Sequence, residues 1–199
     1  MNTKTRTLRL AVLLVATLNL TYFFVEFSVA RAIASVSLFA DSIDFLEDAS
    51  VNLLILAALG WSASRRSTVG MLLAGILLVP GIFTIWQVWE KVSSPIAPEP
   101  TLLTITALGA LCTNLICAFV LARFRGHSGS LTKAAWLSAR NDAVANIAII
   151  GAGLFTAASL SYWPDLVVGI GIFIMNLDAA KEVYVAAKNE RVPAADADA

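Results

Sequence analysis

Charge is scarce in this chain. Only 14% of its 199 residues are Asp, Glu, Lys or Arg, against 58% hydrophobic, whereas a soluble domain of this size carries about 25% charged residues. That shortage excludes a soluble globule. Histidine occurs once, as His127, and cysteine twice, as Cys112 and Cys117. A single His in a predicted loop reads as an ordinary solvated residue. The two Cys stand five apart in one uncharged run, about 140° around a helix. That is poor geometry for chelation, and no disulfide closes within a regular helix, so both read as small packing residues. The formal net charge is zero, and nothing points to nucleic acid.

What the chain has instead is long uncharged runs, at 10–25, 49–64, 67–89, 100–122 and 143–164. Crossing the hydrocarbon core takes roughly 20 helical residues, and in lipid the backbone must satisfy its own hydrogen bonds. The expected fold is therefore an all-α integral membrane protein with six transmembrane helices, at about 8–30, 35–60, 68–89, 101–122, 132–158 and from Pro164 to about Val185. "EKVSSPIAPEPT" carries three prolines in a short loop and ends the third span. Lys4, Arg6 and Arg9 precede a long apolar run that contains Glu26 and is followed by further spans, so it reads as a retained first helix rather than a signal peptide. Residues 1–188 form one transmembrane domain, and 189–199, without apolar periodicity, read as a disordered tail. Eleven Lys and Arg fall on the side of the termini and the even loops, against Arg31 and Lys91 on the other. The bias puts both termini in the cytoplasm, with membrane lipid as the partner of that basic face.

Against this background "SLFADSIDFLEDASVNLL" is anomalous. Asp41, Asp44, Glu47 and Asp48 place four acids in eight residues inside an apolar region. A carboxylate at mid-membrane costs several kcal/mol and as a rule faces a cavity or a partner. At about 100° per residue, Asp41, Asp44 and Asp48 share an arc of about 60°, which Glu47 widens to about 120°. Asp44 and Asp48 stand one turn apart, about 6 Å along the axis, a spacing that lets two carboxylates hold one cation. Capping of the helix start is the plainer reading; it suits Asp41 if the helix begins late and does not suit Asp48. Pairing with Arg140, the one intramembrane base, is a third reading. The fifth span carries another acid, Asp142, with Ser138 at i−4 and Asn146 at i+4 on the same face. Asp44 with Asp48, and Ser138 with Asp142, would give a four-ligand oxygen site between two helices.

The pattern "ADSxDxxxD", the acid-bearing fifth span, "NLTYFFVEF" with Asn19 and Glu26, six spans and cytoplasmic termini resemble the cation diffusion facilitators, a family of divalent-metal exporters. The resemblance implies that the transport site takes two ligands from the second helix and two from the fifth, here Asp44, Asp48, Ser138 and Asp142. It also implies a homodimer. Zinc-type members have His where Ser138 stands, and many carry a cytoplasmic metal-binding domain after the sixth helix that has no counterpart here. The site is then all oxygen, which suits hard ions such as Mn²⁺ or Mg²⁺ without excluding Zn²⁺; Fe²⁺ and Co²⁺ are further candidates for the cargo.

The function expected is export of M²⁺ by alternating access, with protons competing for the acids on the far side. The chain is expected to need no cofactor and not to be an enzyme, and to sit in the cell (inner) membrane. Asp41, Glu26, Glu47 and Asn146 are secondary-site or proton-relay candidates. The alternatives are a non-transporting partner subunit of the same fold, and a proton or small-solute carrier. Asn19, Asn52, Asn114 and Asn176 are expected to hydrogen-bond between helices. Gly151, Gly153, Gly169 and Gly171 are expected to permit close helix contact, and Ser35, Gly70, Ala74 and Gly75 to offer small residues for dimer contact.

Overall fold

The computed structural model describes residues 3–58, 68, 82–122 and 130–175, and it is helical throughout, with no strand among the described residues. The helices are α1 (Thr3–Ile33), α2 (Val36–Ala58), α3 (82–93), α4 (Pro100–Ala122), α5 (Ser130–Ser159) and α6 (Trp163–Met175). The uncharged runs become helices as expected, and the ends follow local chemistry. Pro100 opens α4, where a missing N–H costs nothing. Glu99 just before it accepts from the N–H groups of Leu102 and Thr101, which hold its carboxyl below the usual range. That cap is complete at neutral pH and weakens as acidification protonates it.

By length and composition, Arg6–Ile33, Pro100–Ala122 and Asn141–Ser159 can each cross a membrane. The four acids of α2 set it apart from these. Exposed Phe24, Phe119, Ile147 and Phe155 face outward, as side chains meeting lipid do. Trp86, Trp89 and Trp163 are exposed too, while Trp61 lies outside the described residues.

Only Ala34 and Ser35 separate α1 from α2. Ala34 takes a left-handed conformation (φ 52°) and the Ser35 N–H returns to the Ala30 carbonyl at 2.9 Å, which closes α1 and reverses the chain. The resulting hairpin is zipped by Tyr22 on Phe45 and Phe27 on Phe39, with ring centroids 5.0 and 5.5 Å apart. A second hairpin pairs α4 with α5. These two pairs share the most extensive contacts, α1 also lies along α4, and α2 meets α5 over a smaller area.

Small side chains recur where the helices meet: Ala30, Ala40, Ala107 and Ala145 share one buried cluster with Leu38, Phe39, Ile43, Leu103, Ile149 and Ile172. Close backbone approach of this kind substitutes for a hydrophobic driving force in lipid. Gly169 is an instance: a Cβ there would lie 2.8 Å from the backbone at Val36 and Ser37. Gly153 lies equally tight against Thr104. Around Gly151 and Gly171, expected to do the same, no atom of the described residues lies within 4 Å of the place a Cβ would take.

Lys91, counted above on the non-cytoplasmic side, has a structural role at the α1–α2 turn. Lys91 lies in the last turn of α3 and is buried. Its ammonium donates to the Ala34 carbonyl and stands 3.6 Å from a carboxylate oxygen of Asp165 in α6. Asp165 is itself fully buried and gathers the start of α2. It accepts from the hydroxyls of Ser35 and Ser37, both at 2.6 Å, and from the N–H groups of Val36 (2.9 Å) and Ser37 (3.1 Å). The cap of α2 is therefore supplied by α6. Since α2 begins at Val36, Asp41 lies beyond its first turn, which holds no acid; the capping reading of the acid cluster fails for that reason. Ser35 is fully buried under Asp165, so it offers no surface for a second copy. Gly70, Ala74 and Gly75 lie outside the described residues.

Candidate metal-transport site

The acids of α2 face the interior between the two hairpins. Asp41 is fully buried, and Asp44, Glu47 and Asp48 are half-buried. Asp142 of α5 is half-buried as well. Asp44 is close enough to Asp142, Asp41, Glu47 and Asp48 for their charges to interact. The predicted acids of α2 and α5 thus come within electrostatic reach of one another. Ser138 lies on α5 one turn before Asp142, and its side chain, like that of Arg140, is outside the described residues. Among the described residues no three His, Cys, Asp or Glu side chains are drawn together tightly enough to hold a metal ion.

Around these acids runs a polar thread through four helices. Asn114 of α4 donates its Nδ2 to Oδ1 of Asn146 on α5 at 3.0 Å, and Asn146 donates in turn to Oδ2 of Asp41 on α2. Glu26 of α1 is fully buried beside Asp41. Asn146 therefore serves Asp41 rather than extending the Ser138–Asp142 face. Asn114 is the interhelical hydrogen-bonder expected of it. Asn19 accepts from Cys117 Sγ at 3.6 Å, while Asn52 donates within its own helix, to the Asp48 carbonyl at 2.8 Å. Asn176 lies outside the described residues.

One neighbour escaped sequence reasoning. Cys117 of α4 is buried with its thiol within electrostatic reach of both Asp48 and Asp142. Nothing in a helix of Leu, Ala and Thr marks one small residue as the one that faces an acid two helices away. Both cysteines are free thiols, as expected.

Carboxylates on two helices of this bundle, Asp44 of α2 and Asp142 of α5, thus lie within electrostatic reach of each other in its interior. The profile of the cation efflux transmembrane domain matches residues 12–187, and the chain belongs to that family. It is an integral membrane protein of a family of metal-cation efflux transporters rather than enzymes. No curated protein is similar enough to the chain to count as a match.

Proposed function

We propose that the chain exports a divalent metal cation from the cytoplasm through the carboxylates of α2 and α5, in exchange for protons and as a homodimer in the cell (inner) membrane. The observation that carries this reading is the approach of Asp44 and Asp142 across the gap between the hairpins, with Asp48 one turn further along α2. Asp44, Asp48 and Asp142 neutralise a dication and, with Ser138, surround it with oxygen. When the cation leaves, the carboxylates face one another, and proton uptake from the far side relieves the repulsion. The site lies between the two hairpins, and rocking of one against the other exposes it to one side or the other.

Purified protein in liposomes, with a pH gradient imposed, tests the reading: Mn²⁺ or Zn²⁺ uptake should follow the gradient and collapse with an ionophore that dissipates it. No metal flux under any gradient would leave the partner-subunit alternative. Mass measurement across a dilution series in mild detergent tests the dimer, which a purely monomeric, transporting species overturns. The all-oxygen donor set favours hard ions such as Mn²⁺ over Zn²⁺, with Fe²⁺ and Co²⁺ between them. Ser138→His supplies an imidazole at the fourth position and should shift a competition titration toward Zn²⁺ by about tenfold or more. An unchanged ratio would remove Ser138 from the coordination sphere.

A further inference from the structure

Three buried oxygen atoms near the transport acids have no donor. Among the described residues, no N–H or O–H of any other residue reaches either carboxylate oxygen of Glu26 or Oδ1 of Asp41; all three are shielded from solvent, and the two carboxyl groups lie within hydrogen-bonding reach of each other. A buried charged group left unsatisfied is strongly destabilising, so an arrangement that orphans three acceptors on two facing acids calls for a positive occupant. The orientation of Asp41 is held from outside. Its Oδ2 is held by Asn146, itself held by Asn114, and this turns Oδ1 away from the amide pair. Fixing one oxygen of a carboxylate so that the other is free to ligate is what outer-shell partners do at metal sites.

The placement follows from the hairpin. Ala34 marks the turn, Glu26 lies eight residues before it and Asp41 seven after it, so the two acids meet at one depth. Asp41 precedes Asp44 by three residues, or about 4.5 Å along the helix. The pair therefore sits between the transport carboxylates and the α1–α2 turn, roughly 10–12 Å below that turn. A cation moving from Asp44 and Asp48 toward the end of the bundle where α1 joins α2 passes this pair.

We infer that Glu26 and Asp41 form a second position for the transported divalent cation, a step removed from the transport site toward the α1–α2 turn. A dication is favoured over a proton by the count of empty acceptors: one shared proton joins two oxygens and leaves the third orphaned, whereas a hard cation engages all three. The three oxygens come from carboxylates and the donor set is again free of sulfur and imidazole, matching the cargo proposed for Asp44, Asp48 and Asp142. The inference rests on that proposed function, and two positions so close explain how an ion leaves a tight site: occupancy of one position disfavours the other by like-charge repulsion.

Equilibrium dialysis of the full-length protein in lipid particles against Mn²⁺, with bound metal counted by atomic absorption, tests this. The wild-type chain should bind two Mn²⁺. Glu26→Gln and Asp41→Asn keep shape and should each bind one, as should Asp48→Ala, which retains the second position, while Glu26→Gln combined with Asp48→Ala should bind none. Each variant is checked for a sharp thermal transition and a monodisperse elution profile, so a misfolded one is recognised. A wild-type chain holding a single Mn²⁺, or a folded Glu26→Gln chain still holding two, overturns the second position. Loss of one Mn²⁺ in Glu26→Gln but none in Asp48→Ala supports the second position and removes the transport site instead, so the two readings fail separately.

Discussion

Liposomes carrying Asp48→Ala are expected to take up no more Mn²⁺ than protein-free vesicles, and the same is expected of Asp44→Ala and Asp142→Ala. Removing a residue that merely orients a ligand costs about 10–100-fold in metal affinity, and removing a ligand itself should cost more. These three acids supply all the formal negative charge of the proposed site, so loss of one leaves a dication only partly neutralised in a medium that screens poorly. Asp→Asn variants separate charge from shape and should be nearly as inactive. At alkaline pH, where the acids of the metal-free protein are ionised, the Asp→Asn substitutions should raise its thermal midpoint, because each takes a like charge out of an interior where Asp44 interacts with four other carboxylates. Glu47→Gln, on the flank of the acidic arc, should have a smaller effect on flux. Wild-type flux in all three alanine variants would dispose of the site, and loss of flux with loss of folded protein would assign these acids to structure.

The second large effect is expected at Asp165. One carboxylate there accepts from two hydroxyls and two N–H groups and lies 3.6 Å from the Lys91 ammonium, with both side chains almost wholly buried. Asp165→Ala strands a buried cation and the first N–H groups of α2 together, the most damaging way to break such a contact, at about 3–5 kcal/mol. The thermal transition should fall accordingly, and flux should go with it, since Asp44 and Asp48 ride on the helix that Asp165 anchors. Pairing Asp165→Asn with Lys91→Met should recover a good part of the loss, because the stranded ammonium is gone and an amide oxygen still accepts. A shift of less than about 0.5 kcal/mol in Asp165→Ala, the scale of an ordinary surface substitution, would mean that the cluster contributes geometry and little energy.

These two sites differ in how far the sequence announces them. The acids of α2 could be read directly: period and hydropathy place Asp44 and Asp48 on one face at membrane depth, and Asp142 repeats the anomaly one hairpin later. Their pairing with α5 needed only the family resemblance to suggest it. Asp165 gave no such signal. An acid in the first turn of its own helix has a local explanation in the helix dipole, and its actual use, capping α2 from about 130 residues away in sequence, is a matter of tertiary packing. The partners of Lys91 gave no signal for a similar reason: its charge counts toward the non-cytoplasmic side, and nothing local says that the Ala34 carbonyl and Asp165 will enclose it. Glu26 lies between these cases. It looked isolated in α1, yet the two-residue turn at Ala34 and Ser35 makes its partner predictable by counting outward from the reversal.

That two-residue turn also bears on how the protein is made. Residues 38–56 offer nine Leu, Ile and Phe side chains, worth roughly 3–5 kcal/mol toward insertion, while four acids at about 2.5–3.5 kcal/mol each weigh against it. By this arithmetic α2 cannot enter a bilayer unaided when it leaves the ribosome. With two residues between them, it has no freedom to part from α1, whose apolar stretch crosses readily. The hairpin, and not the single helix, is therefore the unit handed from translocon to lipid. Asp41 gains its Asn146 donor only once α5 has been synthesised, so one polar contact of the N-terminal hairpin has to wait for the C-terminal half of the chain.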